Sequence, residues 1–417
     1  HPNAGLPQFI STTTQRDGTT DIASVFYTWA GSPFMQTVAL SRRYALNGGD
    51  ARFDLSGPEF GAKMRAACAF PLDSAVAGGY PMTIGDVGGP MKPRMLDILR
   101  NFEENFRLGF QWTGRPEFAW VLKHHLGRAE ESDATWRAVE EAAARQGRSP
   151  FLAQRSRVMA DWAGILESGQ DSDDFRFKRA VHMRVGYGVG HAHADTLDIQ
   201  MLAHGARMLN DVGWRGEYAQ PGANETVLHN LVEVNGTGGR EAMWLGHAWI
   251  ASFGPVPGAQ YMEGVAVPPD NFAAAGVKHR SRAVALIDAD EGVPGVRPPA
   301  PMPYTERTVF DPAAVTPNSY LFDVQRVAGG TLHTFCFHGT ISDQFETDIL
   351  HRSEITPPEL APYSAENGPR NTSTRCAPAM SKCETCPWPS GMVAGMPSLY
   401  RRSPRMPKVD RAPNPRE

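Results

Sequence analysis

The chain has 417 residues, of which 41% are hydrophobic, and a formal net charge of −4 at pH 7. This length suffices for two or three domains with substantial cores, and the small net charge gives no reason to expect nucleic acid or an anionic membrane as a partner. No run of eighteen apolar residues predicts a transmembrane helix, and the first residues lack the charged and apolar regions of a signal peptide. These features are typical of a globular protein.

The first part of the chain predicts helices. From about residue 21 to residue 146 most apolar residues recur at helical spacing, as they do from Met91 to Leu108. The segment from Ala134 to Arg145 is rich in residues that favour helices. We therefore assign residues 1–150 to an all-helical domain.

The spacing shortens to β-like runs between about Val158 and Gly339. In one of them, Leu197, Ile199 and Met201 alternate with polar residues. Glycine and proline clusters such as residues 254–258 separate the runs, which favours an antiparallel β-sandwich over residues 151–348. The predicted strands are Phe177 to Tyr187, Leu197 to Leu202, Thr226 to Val234, Arg282 to Ile287 and Tyr320 to Arg326.

The regular pattern ends near Asp348. Beyond it come frequent prolines, scattered arginines and little apolar periodicity, which are typical of disordered segments. We predict a disordered, proline-rich tail over residues 349–417. The abrupt change also motivates the hypothesis that the native reading frame or domain ends near residue 348.

The segment from Gly190 to Asp195 concentrates imidazole and carboxylate groups, because it reads Gly-His-Ala-His-Ala-Asp. Histidines two residues apart on a strand point to the same face, so His191 and His193 are expected to share one pocket. One of them would bind a metal while the other moves a proton. For His191 the alternative is a histidine that donates to a backbone carbonyl beside a glycine-rich turn.

This segment belongs to an ordered set of motifs that resembles the heparinase II/III-like polysaccharide lyases. The set continues with an Asp-x-Gly motif at Asp211 and a His-Asn pair at His229, and the resemblance covers about residues 20 to 345. It implies an (α/α) toroid of helical hairpins, followed by an antiparallel β-sandwich, with the active site in the cleft between them. The stretches that carry it are Ser156 to Trp214, His229 to Gly236, and Tyr320 to Val324 with Arg326, Gly329, Gly330 and His338.

The resemblance implies β-elimination on an acidic polysaccharide that contains uronic acid. This reaction neutralises the C5 carboxylate, removes the C5 proton and protonates the departing O4 oxygen. His191 matches the position in the catalytic cleft, and Tyr218 and Tyr27 are the candidate proton donors. Arg215 and Arg240 are candidates for binding carboxylate or sulfate. The alternatives are a core aromatic role for Tyr27 and a solubilising surface role for the two arginines.

The resemblance also implies a structural zinc site. His193, Asp211 and His229 match the zinc-binding positions, and imidazole nitrogen with carboxylate oxygen suits Zn²⁺. Asp195 is interpreted as an acceptor that orients His193 or His191, with a turn or helix-capping role as the alternative. Asn230 is interpreted as a residue that satisfies backbone groups at the start of a strand.

The chain departs from the family pattern in its helical part. Phe34 or Met35 stands where the resemblance predicts a catalytic tyrosine, and Tyr27 is the nearest substitute. The predicted helical part is also short for a full toroid, so the chain resembles an N-terminally incomplete lyase. The fold class we predict is therefore α+β and multidomain, with a partial α/α toroid before the β-sandwich.

Three functions remain open on the sequence. The first is a polysaccharide lyase, for which the resemblance implies a periplasmic or secreted location. The second is a catalytically incomplete glycan-binding or structural protein, in which zinc stabilises the sandwich. The third is a zinc hydrolase in which the metal activates water, with His191 or Asp195 as general base. The sequence indicates neither the glycan nor the oligomeric state.

Overall fold

The structure of the chain is a computed structural model. Helices come first and antiparallel sheets follow, so the α+β class predicted from the sequence is confirmed. Within the described residues, no helix has the length and apolar character needed to cross a membrane. The residues that the structure describes are 5–19, 32–85, 99–159, 162–169, 175–186, 193–203, 205–209, 226, 229–235, 247–267, 276–289 and 319–338.

The helices begin and end where local side chains favour it. The last one begins after Ser132, whose hydroxyl accepts a hydrogen bond from the Thr135 backbone amide, and it ends at Gly147, which has a φ of +72°. This helix confirms the prediction over Ala134 to Arg145. The helices are α1 Leu6–Thr13, α2 Ser32–Leu46, α3 Gly61–Asp73, α4 Glu103–Thr113, α5 Pro116–Val121, which continues into a π-helical turn Leu122–Leu126, and α6 Asp133–Gln146.

The prediction that the first 150 residues are all helical is wrong at one place. A small antiparallel hairpin follows α3 and consists of β1 Ala75–Val76 and β2 Tyr80–Pro81. Its turn contains three consecutive residues with positive φ, Ala77, Gly78 and Gly79. Strands of two residues leave no periodic signal in the sequence, which is why the pattern did not reveal them.

A five-stranded antiparallel sheet forms the centre of the molecule. Its order follows the chain, and every residue of its second and third strands is buried. A strand covered on both faces shows no alternation of polar and apolar residues, so the sequence did not predict the second strand. The strands are β3 Arg157–Met159, β4 Ala163–Ser168, β5 Arg179–Arg184, β6 Ile199–Ala203 and β7 Ala206–Leu209.

The other sheets contain four and two strands. The prediction that residues 254–258 separate strands is wrong for Gly254 to Val256, because these three residues are the last of the edge strand β9. Proline is tolerated there because an edge strand has one unpaired side. The turn consists of Pro257 and Gly258. The four-stranded sheet has the order β12-β11-β10-β9, and the two-stranded sheet pairs β13 with β8. Their strands are β8 Val232–Val234, β9 His247–Val256, β10 Ala259–Val267, β11 His279–Asp288, β12 Ser319–Ala328 and β13 His333–Phe335.

The five-stranded sheet packs on both faces. On one face the helices cover it, and the Trp162 ring lies edge-on to Phe70 of α3 with ring centroids 5.0 Å apart. On the other face the four-stranded sheet lies so close that a Cβ on Gly164 would come within 2.8 Å of the Met262 sulfur. The residues that the structure describes thus form mainly three layers, which are the helices, the five-stranded sheet and the four-stranded sheet.

Candidate functional site

A polar patch lies on the helix-facing side of the five-stranded sheet. His182 of β5 and Gln200 of β6 are neighbours in register, and Arg207 comes from β7. The Thr83 carbonyl accepts a hydrogen bond from Gln200 Nε2, and its hydroxyl accepts one from Arg207 Nη1 at 2.9 Å. The Pro81 carbonyl accepts from Arg207 Nη2 at 3.1 Å. These bonds fix the segment that follows the hairpin onto the sheet.

His182 is completely buried in this patch. Burial, together with the positive charges of Arg207 and Arg157, lowers the pKa of His182 to about 3. The imidazole is therefore neutral near pH 7. It is an uncharged side chain buried between the helices and the sheet.

His193 and His229 lie together beside this patch. Their ring centroids are 5.5 Å apart with the ring planes inclined by 48°, and they are 3% and 0% exposed. His193 begins the described part of the loop between β5 and β6, and His229 lies in the turn before β8. The sequence predicted that His191 and His193 share one pocket because they would lie two residues apart on a strand. His193 lies in a loop rather than in a strand, so this reason is wrong.

Hydrogen bonds hold the two histidine loops against each other. The Asp198 carboxylate accepts from the Asn230 backbone amide at 2.7 Å, and Asn230 Nδ2 donates to the Ile199 carbonyl at 3.0 Å. Asn230 Oδ1 also accepts from the His338 amide at 2.7 Å. The interpretation of Asn230 as a residue that satisfies backbone groups is therefore confirmed.

Asp195 connects the histidine loop to the helical part of the chain. One carboxylate oxygen accepts from the Gly85 amide at 3.4 Å, and the other lies 3.7 Å from Nε of Arg184. The Thr226 hydroxyl donates to the Ala194 carbonyl at 3.2 Å and ties the same loop to the turn that precedes His229. That Asp195 orients a histidine stays a prediction.

Six of the predicted site residues lie outside the described residues. The structure therefore places two members of the predicted set, His193 and His229, and brings them together. Among the described residues there is no group of three histidine, cysteine, aspartate or glutamate side chains that could hold a metal ion. The zinc site stays a prediction, since its third ligand is one of the residues outside the description. These residues are Tyr27, His191, Asp211, Arg215, Tyr218 and Arg240.

The position of the expected catalytic tyrosine is occupied by core residues. Phe34 and Met35 lie in α2 and are both buried in the helical core. Neither side chain carries a proton donor for an elimination reaction.

Sequence reasoning missed the polar residues that organise the site. Arg184, Gln200 and Arg207 are buried charged or amide side chains within strands whose other residues are mostly apolar. A charged residue in an otherwise buried strand indicates a specific partner, and that signal was available in the sequence. The sequence did not indicate which groups these partners are, namely Thr83 for Gln200 and Arg207, and Asp195 for Arg184.

No family model matches the chain, and no curated protein matches it. The solved structures that resemble it include heparinase III, with a TM-score of 0.45 and 11% identity over 68% of this chain and 42% of the heparinase III chain. Another is the heparan sulfate lyase HepC from Pedobacter heparinus, with a TM-score of 0.43 and 8% identity over 67% of this chain and 39% of that chain. This chain thus spans about two fifths of the length of these structures. The likeness is a distant structural similarity and does not show family membership.

Proposed function

We propose that the chain is a polysaccharide lyase of the heparinase II/III-like type, which cleaves uronic-acid-containing acidic glycans by β-elimination. The observation that carries the proposal is the meeting of His193 and His229, two members of the ordered motif that lie far apart in the sequence. In this proposal residues 1–150 form a partial α/α toroid and residues 151–348 a β-sandwich. The cleft between them is the active site, and the location is periplasmic or secreted.

The geometry of the two histidines supports a shared zinc ion. Two imidazoles bound to one tetrahedral zinc at about 2.0–2.1 Å hold their ring centres about 5 Å apart. The 5.5 Å separation of the His193 and His229 rings fits this arrangement. In the proposal His193, Asp211 and His229 hold the ion, which supplies a structural cross-link between the loops at the cleft floor.

The chemical steps are assigned to residues outside the described part of the chain. His191 neutralises the C5 carboxylate or transfers a proton, and Tyr218 or Tyr27 protonates the departing O4 oxygen. Arg215 and Arg240 bind the carboxylate or sulfate groups of the glycan. The described structure contributes the loop position of His193, two residues after His191, beside the contact between Gly85 and Asp195.

The experiment compares the wild-type protein with His193→Ala and with the control His247→Ala. His247 is an exposed histidine at the start of β9. Zinc is measured by mass spectrometry, and unsaturated product by ultraviolet absorbance with heparin, heparan sulfate and alginate. We expect near-stoichiometric zinc in the wild type and the control, loss of zinc in His193→Ala, and activity on one of the polymers.

Two outcomes would contradict the proposal. A folded wild-type protein without zinc would show that the metal site is misassigned. Zinc without product on any uronate polymer would show that the chain is not an active lyase. Far-ultraviolet circular dichroism of each variant separates loss of the metal from loss of the fold.

One observation favours a second function, a catalytically incomplete glycan-binding or structural zinc protein. Phe34 and Met35 are buried core side chains at the position where the resemblance predicts the catalytic tyrosine. In that case the protein would be retained on immobilised heparin, or on another acidic glycan, without releasing unsaturated product. Product release from the same column would rule this function out.

A further inference from the structure

Arg282 is a fully buried arginine on β11 of the four-stranded sheet. Its guanidinium forms a bidentate ion pair with Asp323 of β12, with Nε 2.8 Å from Oδ1 and Nη2 2.6 Å from Oδ2. A buried charge costs several kcal/mol unless it is paired and hydrogen-bonded, so the pair needs these close contacts. The remaining nitrogen, Nη1, points away from Asp323.

That nitrogen donates to backbone carbonyls of both histidine loops. It donates to the Leu197 carbonyl at 3.0 Å and to the Asn230 carbonyl. Leu197 follows His193 in the β5–β6 loop, and Asn230 is the residue next to His229. Leu197 has a φ of +70°, a conformation that non-glycine residues rarely adopt and that surrounding contacts must maintain.

We propose that Arg282, held by Asp323, is a positioning residue that sets the separation of His193 and His229. This inference rests on the proposed function, because its use is to preorganise the histidines for an ion. The guanidinium is suited to the task because its planar, multiply donating group joins Asp323 and both loop carbonyls at once. A lysine ammonium is a single point charge on a flexible stem and cannot keep all of these partners in one plane.

The experiment uses the full chain with Arg282→Lys, Asp323→Asn and the control Arg179→Lys. Arg179 is also a buried arginine paired with a carboxylate, Asp288, at 2.6 Å, but it begins β5, at the end of the strand opposite the histidine loop. Zinc affinity is measured by competition with a chromophoric chelator. In the metal-free proteins, nuclear Overhauser contacts between the two imidazole rings report their separation.

We expect Arg282→Lys and Asp323→Asn to weaken zinc binding about 10- to 100-fold, the range found when groups that orient metal ligands are removed. Both variants should also lose the ring-to-ring contact in the metal-free protein. Arg179→Lys should lower the melting temperature and leave the zinc affinity and the ring contact unchanged. If Arg282→Lys does not fold, Asp323→Asn tests the positioning role in its place. The Asp323 side chain is partly exposed and the substitution is nearly isosteric, so this variant is expected to fold.

Wild-type zinc affinity and ring contact in Arg282→Lys would overturn the inference. So would an equal loss of affinity in Arg179→Lys, because the effect would then reflect general destabilisation. If the wild type binds no zinc, the metal site of the proposed function fails by itself. The ring contact in the metal-free variants then decides the positioning role, since its retention in Arg282→Lys overturns that role and its loss supports it.

Discussion

The two faces of the five-stranded sheet differ in chemistry. The face toward the four-stranded sheet is mainly apolar, apart from the buried ion pair between Arg179 of β5 and Asp288 of β11, and most of its packing depends on shape. The face toward the helices mixes apolar residues with buried charged and amide groups, whose hydrogen bonds have defined directions and partners. The apolar face therefore joins layers, whereas the polar face places particular segments, and the candidate site lies beside the polar one. The apolar residues include Leu166, Val181, Met183 and Ile199, and the polar ones include Glu167, His182, Gln200 and Arg207.

The largest expected effect comes from removing a charge on the polar face. Glu167 accepts from Lys178 Nζ at 3.1 Å and from Arg157 Nη1 at 2.9 Å, and both Glu167 and Lys178 have fully buried side chains. Glu167→Ala leaves Lys178 buried without its counter-charge, so we expect a loss of about 3–5 kcal/mol in the free energy of unfolding. Denaturant unfolding measures this loss.

The control for this substitution is Glu117→Ala. Glu117 pairs with Arg115 at 3.2 Å on the surface, where an ion pair is worth less than about 1 kcal/mol. Equal losses in the two variants would contradict the special role of the buried pair.

A smaller loss in the free energy of unfolding is expected from a substitution on the apolar face. A Cβ added at Gly164 would lie 2.6 Å from Cδ1 of Ile250 and 2.8 Å from the Met262 sulfur. Gly164→Ala should therefore overpack the interface and cost about 1–3 kcal/mol, without changing the contact between the histidine rings. Gly254→Ala is the control, since a Cβ there would meet nothing within 4 Å. A changed ring contact in Gly164→Ala would show that the two faces are not independent.

The third prediction concerns the pH dependence of stability, where the expected effect is of similar size to that of Gly164→Ala. The pKa of His182 is lowered to about 3 in the folded protein, whereas the unfolded value is about 6.5. The unfolded chain therefore binds the proton first as the pH falls below about 6.5, and stability is lost. Between pH 7 and pH 5 this contribution amounts to about 2 kcal/mol.

Replacing the titrating group tests the assignment to His182. His182→Gln should flatten the pH dependence of unfolding between pH 7 and pH 5. His125, whose pKa burial lowers to about 4, contributes in the same direction and is unaffected by the substitution. An unchanged slope in the variant would show that His182 is not the group responsible.

The sequence predicted elements in which polar and apolar residues alternate or in which residues that favour helices are dense. The alternation of Leu197, Ile199 and Met201 revealed β6, and the composition of residues 134–145 revealed α6. It did not reveal β4, because both faces of that strand are covered and no period survives. Sequence patterning therefore reports the environment of a segment more directly than its conformation.

For the site, the pairing of His193 with His229 was expected from the family resemblance and from no local pattern. Asp198, Asn230 and Arg282 make the hydrogen bonds that join the two histidine loops, which are distant in the sequence. Such contacts leave no periodic trace, because each involves a single residue. The remaining catalytic assignments stay predictions.

The segment between Tyr80 and Gly85 links the helical part to the five-stranded sheet, and this link affects whether the helical part can fold by itself. Its Pro81 and Thr83 are hydrogen-bonded to Arg207, and the core of α3 includes the contact between Phe70 and Trp162. A chain cut near residue 150 would lose these partners and expose an apolar surface on each fragment. We therefore expect the helices and the five-stranded sheet to unfold as one cooperative unit, and neither fragment to be autonomous.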